Sequence, residues 1–189
     1  MEKRRYCIKS NCLYESRDYH NAVFIGFDRH GVPRYGTQRG TSARRYMVEL
    51  NGSDKHFSFS ISTRNGNCKL HLFKSAVDLL SYGTLELLSG RDWLQQNYLS
   101  LAGIYKPEQK IEESTPPAAL IQFLNDHQYI NNIALHLDND TAGRLAAKTI
   151  QTILSSKYTV TDEPPKWGKD CNDYLKTVLG LRQLSSMER

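Results

Sequence analysis

The chain has 189 residues, of which 39% are hydrophobic and 10% aromatic, and this composition indicates a globular protein rather than a disordered segment. No apolar run approaches the length of a membrane-spanning helix and no charged-then-apolar leader begins the sequence, so we expect a cytoplasmic protein without membrane contact. Four scattered cysteines argue against a disulfide framework, and they favour free thiols over a zinc site.

The net charge of +5 is unevenly distributed along the chain. Residues 1–60 hold 11 Lys and Arg against 6 Asp and Glu, whereas residues 61–189 hold 14 of each kind. A basic first third joined to a neutral remainder is typical of a protein that binds a polyanion. An excess of this size also occurs on ordinary solvated surfaces.

The first part of the chain predicts a small antiparallel sheet within residues 20–63. Residues 22–27 form an apolar run typical of a strand, and residues 32–36 predict a returning strand with Pro33 near its start. Residues 56–61 alternate apolar and polar side chains, which predicts a further strand.

A flexible loop is predicted over residues 36–46, between these strands. Its arginines and hydroxyl groups suit phosphate, because guanidinium forks and backbone N–H groups are the usual donors to phosphate oxygens. We therefore predict a basic nucleic-acid-binding surface made of Arg34, Arg39, Arg44, Arg45 and Lys55.

Strands and helices alternate in the remainder of the chain. Strands are predicted at residues 70–73, 98–103, 133–137 and 158–160. Helices are predicted at residues 76–82, 116–124, 141–156 and 170–175. This alternation predicts an α/β fold, with a four-stranded parallel sheet that has helices on both faces. We accordingly divide the chain into a basic antiparallel β subdomain (1–65), an α/β domain (66–180) and a tail (181–189).

The most informative stretch ends a predicted strand with two carboxylates that are two residues apart. Ile133, Leu135 and Leu137 alternate with smaller or more polar residues, and Asp138 and Asp140 follow at the carboxyl end of the strand. Residues i and i+2 of a strand share a face, so both carboxylates can converge on a cation, and oxygen-only ligation favours Mg²⁺ or Mn²⁺. A surface turn in which Asp140 caps the next helix explains the same pattern, and both interpretations stay open at this point.

Acidic residues recur where other predicted strands and loops end. Asp78 lies in the helix after the first parallel strand, and Asp170 and Asp173 share a face of the last predicted helix. Together with Asp138 and Asp140 they predict a carboxylate cluster at one edge of the sheet, which suits metal-dependent phosphoryl transfer on nucleic acid. Helix capping and pairing with the helix dipole explain Asp170 and Asp173 equally well when each is considered alone.

The order of these motifs resembles a Toprim domain, the catalytic fold shared by bacterial primases and topoisomerases. The segments that carry the resemblance are residues 70–82, 98–103, 133–144 and 168–175. The chain is most similar to primase-like Toprim proteins of bacterial conjugative and other mobile elements, in which a domain of unknown function precedes Toprim. The segments that resemble the end of that preceding domain are residues 21–26, 31–35, 39–41 and 52–59.

The resemblance implies a Toprim-like sheet and a nucleic-acid-processing activity, such as primer synthesis or nicking, with Mg²⁺ or Mn²⁺ as cofactor. It implies metal-binding roles for Asp138 and Asp140, which match the family's paired aspartates, and for Asp170 and Asp173 in the final acidic motif. It implies a catalytic role for Asp78, which matches an aspartate that follows the family glutamate by one helical turn. The implied partners are DNA and other replication or transfer proteins.

Lys74 stands where the family places that glutamate, the general acid and base. An ammonium group cannot ligate Mg²⁺ and repels it, while it attracts phosphate. One hypothesis is therefore a domain that binds nucleic acid without cutting or joining it. The other is an active enzyme in which Asp138 and Asp140 hold one metal ion and Lys74 supplies positive charge to the transition state. A lysine that is merely surface-exposed is a third possibility, against which the good match of residues 75–78 argues.

Family members usually have more sequence upstream, including a zinc-binding ribbon. We therefore expect this sequence to be a fragment of a longer protein or the product of a shortened gene. A metal-dependent phosphatase or a nucleotide-binding α/β domain is the less favoured alternative, because the basic first third argues against it.

Overall fold

A computed structural model describes residues 2–42, 46–63, 65–103 and 105–181, with side chains described from Tyr6 onward. Its helices are α1 (Glu2–Lys9), α2 (Ala76–Leu88), α3 (Ala118–Asp126), α4 (Thr141–Leu154) and α5 (Cys171–Val178). Its strands are β1 (Leu13–Glu15), β2 (Ala22–Phe27), β3 (Pro33–Arg39), β4 (Met47–Glu49), β5 (Ser60–Ile61), β6 (Lys69–Phe73), β7 (Asn97–Ser100), β8 (Asn132–His136) and β9 (Thr159–Asp162). Short 3₁₀ turns cover Lys55–Phe57, Trp93–Gln95 and Ile111–Glu113.

The first sheet is antiparallel and has the strand order β1-β2-β3-β4. Its central strand β2 buries Val23 and Phe24, as expected for an apolar run with a neighbour on each side. The antiparallel sheet predicted from the sequence is therefore confirmed. The predicted flexible loop over residues 36–46 is wrong in its first part, because β3 continues to Arg39 and pairs with β4.

The predicted strand over residues 56–61 is only partly correct. Residues Lys55–Phe57 form a 3₁₀ turn, because the Asp54 carboxylate accepts a hydrogen bond from the backbone N–H of His56 at 3.0 Å and so caps the turn. Only Ser60–Ile61 is extended, and it joins the second sheet rather than the first. The boundary that we predict between residues 65 and 66 remains a prediction.

The second sheet has the order β5-β7-β6-β8-β9, in which β6 to β9 are parallel and β5 runs antiparallel to β7. The predicted α/β fold with a four-stranded parallel sheet is confirmed. The fifth strand comes from the preceding segment and covers the β7 edge, which would otherwise expose unpaired backbone groups.

Helices cover both faces of the second sheet. Alternate residues of β6 point to opposite faces, so Leu70 and Leu72 pack with α3 and α4 while Phe73 packs with α2 and α5. The two central strands are buried on both sides, which explains why they read as nearly continuous apolar runs. This arrangement leaves the carboxyl ends of β6 and β8 side by side at one edge.

The two sheets share a core and touch through backbone atoms. Phe24 of β2 contacts Phe59 edge to face, with ring centroids 5.4 Å apart. A Cβ atom built on Gly26 would overlap the carbonyl oxygen of Phe57, so only glycine permits this approach. No helix within the described ranges is long and apolar enough to cross a lipid bilayer.

Candidate active site

Two oppositely charged side chains meet where β6 and β8 end. These strands are parallel neighbours, with Phe73 paired with His136, so the chain leaves both at the same edge. The ammonium nitrogen Nζ of Lys74 donates to Oδ2 of Asp138 at 2.5 Å. The Asp138 side chain is only 4% exposed and that of Lys74 is 29% exposed, so this ion pair is largely shielded from solvent.

The second aspartate of the pair has two contacts with different consequences. Oδ1 of Asp140 accepts a hydrogen bond from the backbone N–H of Gly143 at 2.8 Å, so Asp140 is the N-cap of α4 and the capping interpretation is confirmed. Oδ2 of Asp140 faces a lysine instead. The Nζ atom of Lys169 lies 3.0 Å from this oxygen and 3.7 Å from Oδ2 of Asp138. The two carboxylates therefore do converge, on an ammonium group.

Lys169 was not predicted from the sequence. The backbone places it here, because the N–H of Asn139 donates to the carbonyl oxygen of Lys169 at 2.6 Å and ties the two loops together. Its neighbour Asp140 raises the pKa of Lys169, and Asp138 and Asp170 add to the effect. The pKa of Asp140 is lowered in turn, chiefly by the Gly143 N–H group and then by Lys169. The only sequence signal for a role of Lys169 at this site is its position directly before Asp170.

The start of α4 is packed tightly against the end of β8. A Cβ atom on Gly143 would overlap the carbonyl oxygen of Asp138. Arg144 donates to the carbonyl oxygens of Leu137 at 2.7 Å and Asp138 at 3.2 Å, and its Nη1 atom contacts both carboxylate oxygens of Asp162 at 2.6 and 2.7 Å. These bonds fix the backbone that presents the two aspartates.

Asp78 lies in the first turn of α2 and is only 6% exposed. The hydroxyl group of Ser75 donates to its Oδ2 atom at 2.5 Å, and the same hydroxyl accepts from the Asp78 N–H as the N-cap of α2. Burial raises the pKa of Asp78 to about 6, and the negative charges of Asp170 and Asp138 add to the shift. Asp78, Asp138, Asp140 and Asp170 are called the acidic edge below.

Asp170 and Asp173 both lie at the start of α5 but have different contacts. Asp170 is the N-cap of α5, since its Oδ1 atom accepts from the Asp173 N–H at 2.8 Å. Asp173 lies in the first turn, with its Oδ1 atom 4.0 Å from Nζ of Lys176. The capping interpretation is thus confirmed for Asp170, and its charge still reaches Asp78. A metal-binding role for Asp170 or Asp173 remains a prediction.

The acidic edge opens into a cleft of about 60 Å³. The charged side chains that line it are Lys74, Lys169, Asp138 and Asp140. Its lining also includes the apolar or aromatic side chains of Leu101, Leu137, Tyr105 and Ala146. The cleft therefore offers two ammonium groups together with apolar surface to any group that enters it.

Comparisons with known proteins identify this arrangement. A family model described as Toprim-like matches residues 71–175, which is more than half of the chain and includes the whole acidic edge. The chain belongs to the Toprim-like family. A second family model, described as a protein of unknown function (DUF3991), matches residues 4–65 ahead of the Toprim-like part. No curated protein sequence matches the chain.

Solved primase structures share the fold of this Toprim-like chain. The primase fragment of the bacteriophage T7 primase-helicase protein is 16% identical with a TM-score of 0.58, and the match covers 92% of this chain and 64% of that one. A DNA primase domain from Pseudomonas aeruginosa is 12% identical with a TM-score of 0.52, covering 94% and 56%. The DnaG primase catalytic domain bound to ssDNA is 13% identical with a TM-score of 0.53, covering 93% and 55%. The chain thus spans less than two thirds of each of these structures, and identities this low show the fold alone.

The residues at the Toprim-like edge do not fit a divalent cation as they are arranged. Mg²⁺ needs oxygen ligands at about 2.0–2.1 Å in near-octahedral geometry. The Oδ2 atoms of Asp138 and Asp140 instead face the ammonium groups of Lys74 and Lys169 at 2.5 to 3.7 Å. Among the described residues, no three His, Cys, Asp or Glu side chains are grouped to hold a metal ion. The two lysines that pair with Asp138 and Asp140 therefore oppose the predicted binding of Mg²⁺ or Mn²⁺.

The basic residues that were predicted to contact nucleic acid have different surroundings. The Arg34 guanidinium lies 5.2 Å from the centroid of the Phe57 ring and 3.7 Å from the Asp28 carboxylate. Lys55 pairs with Glu49 at 3.2 Å. Arg39, at the end of β3, contacts the sulfur atom of Met47 at 3.3 Å and has no carboxylate partner within the described ranges. Arg44 and Arg45 lie outside the described residues. Of the three that are described, Arg39 is the one whose charge is not already paired.

Proposed function

We propose that this chain is a nucleic-acid-binding module of the Toprim-like family in which metal-dependent phosphoryl transfer is lost or strongly weakened. One observation carries the proposal: the ammonium group of Lys74, at the position where the family resemblance places a glutamate, lies 2.5 Å from Asp138. A metal site that has exchanged a carboxylate for an ammonium loses a ligand and gains a repulsive charge. The same ammonium group is well suited to a phosphate oxygen.

Nucleic acid, and DNA in particular, is the partner that the charge distribution favours. The whole net charge of +5 comes from residues 1–60, which include Arg34, Arg39 and Lys55. A primase domain of the same fold is described as bound to ssDNA, and that description supports the proposal without extending its contacts to this chain. The resemblance to proteins of mobile elements makes the DNA of such an element the substrate class that we propose.

One observation favours a catalytic alternative. Lys74 and Lys169 both line the open cleft, so an entering phosphate could meet two positive charges beside Asp138 and Asp140. In that case lysine side chains would stabilise charge that develops in the transition state, as arginine and lysine clamps do elsewhere. Primer synthesis or nicking by the wild-type protein would identify this alternative.

The first test is binding without a metal. We expect a fluorescein-labelled oligonucleotide to bind the protein in about 1 mM EDTA at least as tightly as in Mg²⁺ of equal ionic strength, because Lys and Arg contacts to phosphate need no metal ion and Mg²⁺ competes for the same phosphates. Fluorescence anisotropy measures both constants. Binding that disappears in EDTA would contradict the proposal, as would wild-type nicking or primer synthesis that needs Mg²⁺.

The second test removes one positive charge at a time. Arg39→Ala is expected to weaken DNA binding and to reduce the slope of log K against log salt by about 0.7 to 0.9, the value for one lost phosphate contact. Lys148→Ala is the matched control, since this exposed lysine on α4 carries the same charge and lies outside the basic residues 1–60. Equal losses in the two variants would show that only net charge matters and that Arg39 contacts no phosphate.

The third test restores the family residue. Lys74→Glu replaces an ammonium beside Asp138 with a carboxylate, so the edge regains acidic ligands for a cation. We expect Mg²⁺-dependent primer synthesis or nicking to rise about a hundredfold or more above the wild-type background, since a catalytic metal supplies several kcal/mol. Radiolabelled primer synthesis and plasmid-nicking assays measure it. Equal activity in the two proteins would show that Lys74 has no catalytic bearing.

A further inference from the structure

The ammonium group of Lys169 contacts both of the aspartates that follow β8. Its Nζ atom is 3.0 Å from Oδ2 of Asp140 and 3.7 Å from Oδ2 of Asp138. We propose that Lys169, together with Lys74, is a built-in replacement for the divalent cation, so that the carboxylates of Asp138 and Asp140 are neutralised by the chain itself. The inference rests on the proposed function for its biological consequence, which is the loss of metal-dependent activity, whereas the Mn²⁺ binding that it predicts can be measured independently.

The charges of Asp138 and Asp140 are balanced without a metal ion. Asp138 and Asp140 carry two negative charges, and Lys74 and Lys169 return two positive charges within 4 Å of them. Asp138 is the shared partner, since its Oδ2 atom contacts both lysines. A single divalent ion would deliver the same charge to the same oxygens. Two tethered monovalent cations therefore do the electrostatic work of one divalent ion.

The contacts that hold Lys169 are part of the fold rather than of a loose side chain. The bond from the Asn139 N–H to the Lys169 carbonyl oxygen fixes the lysine backbone beside the aspartate loop. Asp170, the next residue, caps α5 and anchors the other side of the same segment. The Lys169 side chain is nevertheless 53% exposed, so replacing it leaves the core untouched. This position can therefore be tested without risk to folding.

Each of the two ammonium groups opposes the binding of Mg²⁺ or Mn²⁺, so the removal of either one is expected to weaken that opposition. An ion at a ligand distance of about 2.1 Å from Oδ2 of Asp138 would lie within a few ångströms of Lys74 and Lys169, and the repulsion between these charges disfavours it. Removing one lysine leaves the other in place. Removing both leaves Asp138 and Asp140 uncompensated, with the charges of Asp78 and Asp170 nearby, as the raised pKa of Asp78 indicates.

The experiment measures Mn²⁺ binding by the full chain with isothermal titration calorimetry, and free Mn²⁺ by electron paramagnetic resonance. We expect the wild type to show no saturable binding at millimolar Mn²⁺ and Lys169→Gln to bind weakly. The double variant Lys74→Gln/Lys169→Gln is expected to bind at least tenfold more tightly than Lys169→Gln. Lys148→Gln/Lys157→Gln changes the net charge equally, away from the acidic edge, and is expected to behave as wild type.

Three results would overturn the inference. They are saturable Mn²⁺ binding by the wild type as tight as that of the double variant, no gain in either site variant, or an equal gain in the control variant. Lys169→Gln decides the question even if the double variant fails to fold, because it changes an exposed side chain. If the wild type does not bind DNA, the proposed function is contradicted, but the Mn²⁺ binding of the lysine variants still tests this inference. The two failures are therefore distinguishable.

Discussion

Gly143→Ala is expected to destabilise the protein by about 3 kcal/mol, although alanine normally favours a helix over glycine by about 1 kcal/mol. The added Cβ atom would overlap the carbonyl oxygen of Asp138 and approach its carbonyl carbon to 2.8 Å. Both are backbone atoms held by Arg144, so neither can move aside as a flexible side chain would. For a chain of this size, we expect a drop in Tm of roughly 6–12 °C, measured by circular dichroism.

Gly52→Ala is the control for this prediction. Gly52 has a positive φ of 79° with no atom within 4 Å of its added Cβ, so its replacement costs only the backbone strain of about 1 kcal/mol. A Gly143→Ala protein as stable as the wild type would show that α4 does not pack against the Asp138 backbone. The placement of the acidic edge would then be wrong.

The second large effect concerns pH and a buried histidine pair. Nδ1 of His71 lies 2.8 Å from Nε2 of His136, and Nδ1 of His136 donates to the carbonyl oxygen of Glu163 at 2.8 Å. The second bond assigns the proton of His136 to Nδ1, so His136 accepts from His71 through Nε2. Burial lowers the pKa of each to about 3, and for His71 the neighbouring His136 and Lys69 add to the effect.

The sign of the pH effect follows from proton counting. Below the unfolded-state histidine pKa of about 6.5, the unfolded chain binds two protons that the folded pair does not bind. The free energy of unfolding therefore decreases by about 2.7 kcal/mol for each unit by which the pH is lowered. Asp78 acts in the opposite direction, because its raised pKa lets the folded state bind a proton below pH 6. The two histidine protons that favour the unfolded state at low pH outweigh the single Asp78 proton that favours the folded state. We expect urea unfolding to show a net loss of about 3 kcal/mol between pH 6.5 and 4.5.

Two variants separate these contributions. Asp78→Asn removes the opposing carboxyl group and is expected to steepen the loss of stability below pH 6. His71→Phe/His136→Phe keeps ring packing beside Phe73 and Tyr82 but removes both titrating groups, and it is expected to flatten or reverse the pH dependence. A wild-type stability that is constant or rises from pH 6.5 to 4.5 would refute the assignment of a neutral buried pair.

Much of this fold was determined by the sequence alone. The apolar run before Asp138 specifies a buried strand, because period-two alternation and β propensity act locally and need no knowledge of distant residues. Strand–helix alternation then specifies a parallel sheet, and a parallel sheet brings the ends of β6 and β8 to one edge. The sequence pattern therefore predicts that Lys74, Asp78, Asp138 and Asp140 lie close together.

Only the tertiary structure decided how those charges are paired. The sequence gives no rule that brings Lys169 to Asp140, since this contact depends on a loop geometry fixed by the Asn139 backbone bond. It also gives no rule that sends Ser60–Ile61 into the second sheet, because strand partners are chosen by long-range packing. Local patterns set which elements form. The charge state of the acidic edge depends on distances of a few ångströms between segments far apart in the chain, and only the folded structure sets those.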